Sequence, residues 1–290
     1  MNISSMRRLT LHGLLLAVAL PAVAAAAHAQ PPPDQGPMEP PPKYEVKIIP
    51  SVPNPSPPPI PAKDIIQKFA ANEDVMKNAY DTYTFTRTVH IAELFDSGGK
   101  LTVTGEVYTR PDGHQVWRVT TPVASNLRTA IYSLEEVRTM MAFPLFILTT
   151  DEIANYNFLY AGQDKLDELG TYVFQVRPKQ LSRTRRFFEG VIWVDDHDFT
   201  IVKTYGKLVG DTFSERDSLP FKMYETYREN FQGKYWLPTY TVSDDYVSKP
   251  PSDQFHLRIV IRSTDFKLQP ASPAALPAPP TTPPDPASPH

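Results

Sequence analysis

Apolar and polar residues alternate through much of the middle of the chain. Over residues 82–95, Tyr83, Phe85, Val89 and Ile91 fall on one side of the alternation, and Thr84, Thr86, Thr88 and His90 on the other. A period of two predicts a half-buried β-strand. The turn Asp96-Ser97-Gly98-Gly99 precedes a return strand over 101–110, and Pro111-Asp112-Gly113 turns the chain into another over 114–120. Further strands are expected at 157–162, 171–177, 219–229, 235–247 and 254–266. In the last of these Phe255, Leu257, Ile259 and Ile261 oppose His256, Arg258 and Arg262. Residues 187–210 stand out as a hairpin apolar on both faces of its first strand. Phe188, Ile192 and Val194 share one face with Gly190, while Phe187, Val191 and Trp193 take the other. Such a strand calls for cover above and below, the outer cover being a helix or a tail.

Two stretches break the alternation. Over residues 62–80 an apolar stripe of Ile65, Ile66, Phe69, Ala70, Val75, Met76 and Ala79 predicts an amphipathic helix, with Lys63, Asp64, Lys68, Glu73 and Lys77 off the stripe. Pro61 stands just outside its start, where a missing N–H costs little. Between 127 and 156, Ser133 and Glu136 have capping-box spacing and open a short helix to Met141. Phe143, Pro144, Leu145, Phe146, Ile147 and Leu148 follow, too apolar for an exposed loop, and Thr150 or Asp151 is placed to cap another turn. The pattern predicts a mainly β fold with helices (α+β). Its long antiparallel sheet curls, with an amino-terminal helix and a helical insertion against the inner face.

Proline sets the domain limits. Of 32 prolines, 14 lie between Pro31 and Pro61 and nine between Pro270 and Pro289. Such tracts bury too little apolar surface to offset chain entropy and favour extended, solvated conformations. The folded domain is therefore expected at 62–268, between disordered proline-rich segments at 30–61 and 269–290. Residues 43–49 (KYEVKII) form a strand-like island in the first tract. Residues 1–29 carry Arg7 and Arg8, an apolar run from Leu14 to Val23 and Ala27-His28-Ala29, the layout of a cleavable secretory signal. No stretch is long enough for a membrane span. Without cysteine there is no disulfide, no thiol chemistry and no lipidation site after the signal. Removal of Arg7 and Arg8 leaves 27 basic against 32 acidic residues, a net charge of −5, which argues against nucleic acid.

There is no phosphate-binding glycine loop, serine elbow, zinc-type histidine spacing or cysteine nucleophile, so no catalytic residue is assigned and no cofactor is implied. Asp195-Asp196-His197-Asp198 invites a metal, but aspartates favour turns through local backbone hydrogen bonds, and four residues supply too few ligands. The turn is the reading adopted, and no metal is assigned. Arg183, Arg185 and Arg186 read as a solvated loop, the alternative being contact with an acidic partner or a lipid headgroup. Arg87 shares the apolar face of its strand, which makes it a buried ion pair or a polar handle in a pocket, unless a bulge turns it outward. Trp117, Trp193 and Trp236 suit a core and a lipid pocket equally.

Taken in order, these pieces resemble the LolA/LolB-type outer-membrane lipoprotein carriers and the wider lipoprotein-sorting group. The opening helix leads into Tyr83-Thr84-Phe85, like the family's first strand. Gly105, Arg110-Pro111, Trp117-Arg118 and Thr121-Pro122 are similar to its glycine, Arg-Pro, tryptophan and Thr/Gln-Pro series. Residues 144–148 resemble its lid helix, and Val176-Arg177-Pro178-Lys179 with FEGVIWVD and IVK resemble its later strand pairs. The resemblance implies an unclosed half-barrel whose apolar cavity, closed by short helices, holds the acyl chains of a lipoprotein or another lipid. It implies a soluble, non-enzymatic, monomeric periplasmic carrier that meets inner- and outer-membrane envelope proteins. Arg110 matches the family arginine that bonds the lid and holds the empty cavity shut, although alternation with Tyr108 would require a bulge to turn it inward. Arg87, Phe85, Arg110, Trp117, Phe143, Leu145, Phe146, Ile147, Leu148 and Trp193 are the expected ligand-binding residues. An interaction or sensory module on the same fold, and a hydrolase with dispersed catalytic residues, are the competing readings.

Overall fold

Pro61 caps the start of helix α1 (Ala62–Tyr80), with Asp64 in the first turn and Lys77 in the last, each favourable to the helix dipole. The computed structural model describes residues 53–269, apart from 111, 122, 129–130, 142–144, 146–147, 212–222 and 250–251. The signal, the strand-like island, the first proline-rich tract up to 52 and the second from 270 lie outside the described residues, as do Pro144 and several apolar residues around it. The buried stripe of α1 is Ile65, Phe69, Ala70, Glu73, Met76 and Tyr80, a run of three- and four-residue steps. Two sequence expectations change here. Glu73 lies on this stripe, not off it, and Val75 is 52% exposed. Val75 follows Glu73 by two residues, about 200° around the helix, and so faces away from the stripe.

After α1 come β1 (Tyr83–Glu93), β2 (Lys100–Thr109), β3 (Gln115–Val119) and the two-residue β4 (Ala124–Ser125). Helix α2 (Leu134–Met141) and a 3-10 turn (Ile153–Asn155) precede β5 (Tyr156–Leu166), β6 (Leu169–Pro178), β7 (Phe187–Asp195) and β8 (Ile201–Val209). The described strands end with β9 (Tyr224–Phe231), β10 (Tyr235–Lys249) and β11 (Ser252–Leu268). All eleven form one unclosed antiparallel sheet in the order β3-β2-β1-β11-β10-β9-β8-β7-β6-β5, with β4 pairing β2. Because neighbours run in opposite directions, the connections segregate. The β1–β2, β6–β7, β8–β9 and β10–β11 links lie at one end, called here the Phe95 rim. The β2–β3, β5–β6, β7–β8 and β9–β10 turns lie at the other, the Arg110 rim.

Strand β1 alternates buried and half-buried residues along its whole length, as its sequence demands. The main apolar cluster joins Ile65, Phe69 and Ala70 of α1 and Val137 and Met140 of α2 to Val89, Ile91, Phe174, Phe188, Ile192 and Val194 of the sheet. Both helices therefore pack on the same sheet face. Gly190 and Gly206 pair across β7 and β8, and Phe188 lies over both: an added Cβ would sit 2.8 Å and 2.6 Å respectively from its ring.

Trp193 faces the other way. It packs with Val173 and Val202, ringed by Val191, Tyr205, Leu166, Leu169 and Trp236, and every member of this cluster belongs to a strand. The outer face of the β7–β8 hairpin thus covers itself with large side chains rather than with the expected helix or tail. Lys203 lies 4.9 Å from the Trp193 ring, and the indole N–H donates to Asp164 at 3.0 Å. Order also reaches into the first proline tract: Asn54 forms an antiparallel bridge with Gln163 on β5, its N–H and C=O bonding at 2.7 and 2.9 Å.

Candidate binding site on the concave face

Three consecutive side chains of α1 reach three separate elements. Asn72 donates to the carbonyls of Asp198 and Phe199 at 2.8 and 2.9 Å, fixing the β7–β8 turn. Phe199 adopts a left-handed backbone there (φ 54°), an uncommon state for a bulky residue. Its ring stacks on Tyr172, and the Lys68 ammonium lies 4.2 Å from its centroid. Glu73 forms a two-pronged ion pair with Arg228 of β9; both side chains are 1% exposed, and the Nη2–Oε2 arm is 2.9 Å. Asp74 accepts from the Thr150 hydroxyl at 2.6 Å and from its N–H at 3.3 Å.

The Glu73 and Asp74 contacts bear on Leu145 and Thr150, and Leu145, Leu148 and helix α2 lie against the concave face. Ser133 and Glu136 make the reciprocal capping-box bonds that their spacing predicts: Glu136 N–H donates to Ser133 Oγ at 3.2 Å, and Ser133 N–H to Glu136 Oε2 at 2.7 Å. Beyond α2, Leu145 touches both the main cluster and a second one built on Tyr80, Phe85, Val107 and Leu237. Leu148 is fully buried. Arg228 Nη2 donates to the Leu145 carbonyl at 3.3 Å, so one guanidinium links sheet, α1 and covering segment. Thr150 spends its hydroxyl on Asp74 instead of capping the 3-10 turn, whose start has no side-chain cap.

Of the expected ligand-binding residues, Phe85, Trp117, Leu145 and Leu148 are gathered on the concave face. Trp117 has room because Gly105 lacks a side chain; a Cβ there would stand 2.7 Å from the indole. Arg87 points inward and is 1% exposed, with no register shift between β1 and β2 around it. Its Nη2 donates to the Tyr80 hydroxyl at 2.6 Å and its Nε to Ser263 Oγ at 3.3 Å. Burial raises the Tyr80 pKa, partly opposed by the Arg87 charge, so the phenol stays protonated. Phe143, Phe146 and Ile147 fall outside the described residues.

Two expected residues stand elsewhere. Trp193 is on the opposite sheet face, as its place in the alternation with Ile192 requires. Arg110 is in the β2–β3 turn, half exposed, and pairs with Asp112 at 2.5 Å. With no bulge turning it inward, it serves that turn and not the covering segment. The residues that sequence reasoning passed over are Glu73 and Arg228. A signal existed: Glu73 falls four residues after Phe69 and three before Met76, and Arg228 alternates with Tyr224 and Thr226. The Asp195–Asp198 stretch is a turn in which Asp195 Oδ1 accepts the N–H groups of His197 and Asp198 at 2.9 and 2.6 Å. Among the described residues no group of three or more His, Cys, Asp or Glu could hold a metal ion, and no helix is long and apolar enough to cross a membrane.

No family model and no curated protein matches this sequence. Among solved structures, a LolA superfamily protein from Nitrosomonas europaea is 13% identical at a TM-score of 0.40, covering 73% of this chain and 96% of its own. A DUF1329 family protein from Desulfovibrio piger is 16% identical at a TM-score of 0.40, covering 74% and 96%. An outer membrane lipoprotein-sorting protein domain from Vibrio parahaemolyticus is 12% identical at a TM-score of 0.33, covering 71% and 94%.

Proposed function

We propose that this protein is a periplasmic, non-enzymatic carrier of lipidated ligand, most directly a lipoprotein, whose acyl chains take the place of the covering segment on the concave face. In this reading residues 1–29 direct export and are removed, 62–268 form the carrier domain, and the proline-rich stretches at 30–61 and 269–290 act as spacers. The observation that carries it is the way an apolar sheet face is closed: by a short segment tied down through polar side chains, Asp74 to Thr150 and Arg228 to the Leu145 carbonyl. The exposed Asp74–Thr150 tie exchanges readily for water, whereas the apolar face beneath gains from hydrocarbon at about 0.8 kcal/mol per buried methylene. A chain of a dozen or more methylenes would be held too tightly to leave unless reclosure of the segment competes with it. Arg228 and Asp74 supply that competition, biasing the empty protein toward the closed state.

One observation favours the second reading, an interaction or sensory module. Ile65, Phe69, Met140 and Leu148 are fully buried against the concave face, so its own side chains already occupy the ground a ligand would take. Native mass spectrometry of protein expressed to the periplasm, before and after delipidation, separates the two. A lipid-sized adduct lost on delipidation, with a photocrosslinker at Leu145 capturing a lipoprotein, is the carrier result. A bare mass with no lipoprotein captured ends the carrier reading, and capture of an unlipidated envelope protein establishes the other.

A further inference from the structure

One cross-strand row of the concave face can be followed from β5 to β2 through the strand registers. On one flank Tyr160 of β5, Phe174 of β6 and Ile192 of β7 lie opposite one another in turn. Next come Thr204 of β8, Thr226 of β9 and Thr241 of β10. On the other flank stand Ile261 of β11, Val89 of β1 and Val103 of β2. All three threonines are buried. Ser243, two residues along β10 from Thr241 and opposite Ile259, adds a fourth hydroxyl to the patch and is 4% exposed. With neighbouring strands about 4.8 Å apart, the three threonines span about 10 Å, with about 14 Å of apolar floor on either side.

Strand propensity does not select these residues. Valine and isoleucine, which fill much of the flanks of the same row, are as β-branched as threonine and carry no polar group to bury. A buried hydroxyl costs free energy unless it is hydrogen-bonded. The Thr226 and Thr241 hydroxyls bond each other at 2.9 Å, which uses one of their two protons. Among the described residues Ser243 Oγ has no hydrogen-bond partner. Ser263 on the same sheet face differs, since its Oγ accepts from Arg87 Nε at 3.3 Å. The patch therefore keeps donors to spare at the centre of an apolar floor, on the ground that an acyl ligand takes in the carrier reading.

We infer that Thr226, Thr241 and Ser243 bind the ester or amide carbonyls of a ligand with more than one acyl chain, the chains lying out over the two apolar flanks. The inference rests on the carrier reading and adds to it the class of ligand: acyl chains joined through a carbonyl-bearing linkage, not any hydrocarbon of suitable size. The row is apolar, polar and apolar in turn, which matches an amphiphile whose chains diverge from one linkage. A single straight chain laid along it would press methylenes onto the hydroxyls and leave them unbonded. Carbonyl oxygens accept hydrogen bonds and donate none, which suits a patch whose surplus is in donors.

The test compares dipalmitoylglycerol with dihexadecylglycerol, which carries its two chains on ether oxygens and has no carbonyl. Binding of each to the full chain is read by displacement of a fluorescent fatty acid, and the stretch of carbon-13-labelled ester carbonyls by infrared spectroscopy. The ester should bind roughly tenfold more tightly than the ether, the difference expected of one or two hydrogen bonds. Its bound carbonyl stretch should move to lower frequency. Thr226→Val with Thr241→Val, and separately Ser243→Ala, should each weaken ester binding several-fold, leave ether binding unchanged and move the stretch back. Removing both members of the threonine pair, or a hydroxyl that has no partner, should leave the urea midpoint unchanged or raised, so these losses are not losses of folding. Equal affinity for ester and ether with an unshifted carbonyl overturns this inference and leaves the carrier reading standing. An ester preference that survives every substitution also overturns it, and binding of neither lipid overturns both.

Discussion

The Glu73–Arg228 pair offers the sharpest test of how the concave face is held closed. Both side chains are 1% exposed, so each charge relies on the other in place of water. Arg228→Met leaves a carboxylate buried without its partner, a change that costs about 3–5 kcal/mol. Glu73→Leu strands the guanidinium and should cost a similar amount. The double variant removes both charges and restores apolar volume, so its stability should return to within about 1–2 kcal/mol of the parent. With a urea dependence of roughly 2 kcal/mol per molar, each single change lowers the midpoint by about 1.5–2.5 M, and the double change recovers most of it. The Leu145 carbonyl separates local from global effects. In the double variant it still lacks Arg228, so amide exchange across residues 145–150 should quicken although the sheet is as stable as before. Urea titration of the four proteins, with hydrogen exchange by mass spectrometry, reads both quantities. Additive single costs would refute the pairing. Unchanged exchange at 145–150 in the double variant would refute the role of Arg228 in holding the segment.

Three further outcomes follow from the geometry. Gly190→Ala puts a Cβ 2.1 Å from the Tyr205 carbonyl and beneath the Phe188 ring, so it should cost about 1–3 kcal/mol in urea titration, without loss if a neighbouring strand shifts freely. The Asp112 carboxyl, held by Arg110 and by the N–H of His114, should titrate at about 2 by carbon-13 NMR, its stabilising effect being lost as pH falls through that value. In Arg110→Leu the midpoint should move toward the usual aspartate range while ligand loading and release stay as they were; altered loading would return Arg110 to the mechanism. His90 has its pKa lowered by burial and, less, by Lys100, so as pH falls through 6.5 the unfolded chain takes up its proton first. Stability should therefore decline from neutral pH downward until the folded pKa is passed, and His90→Gln should flatten that decline.

Much of the scaffold was legible in the sequence because local rules and tertiary packing agree there. The alternation of β1, the capping box of α2 and the Asp195 turn each depend on neighbours close in the chain or on a strict two-residue period, whereas for Arg87 the sequence left an outward bulge open and the unshifted β1–β2 register decides it. The covering contacts were less legible. Glu73 looks like a surface residue until its partner, 155 positions away, is known to be buried with it. Arg110 drew attention through a motif, yet β2 ends at Thr109 and the chain turns away before its side chain can face inward. Trp193 shows a further limit: a strand apolar on both faces says that both are covered, but not whether by another element or by its own neighbours.

The seam between β1 and β11 has a bearing on assembly. It joins segments distant in sequence, as at Thr84 and Lys267, 183 residues apart, and it lies inside the sheet with β2 on one side and β10 on the other. Closing a loop of that length costs on the order of 4–5 kcal/mol in chain entropy before any pairing rewards it. The three-stranded piece β3-β2-β1 must therefore wait, with one raw edge, until the last strand is delivered, which makes this a slow-zipping topology. A chain shortened by the 17 residues of β11 would not merely be trimmed at its margin. It would be parted down the middle, into two sheets that each present a fresh unpaired edge to other copies.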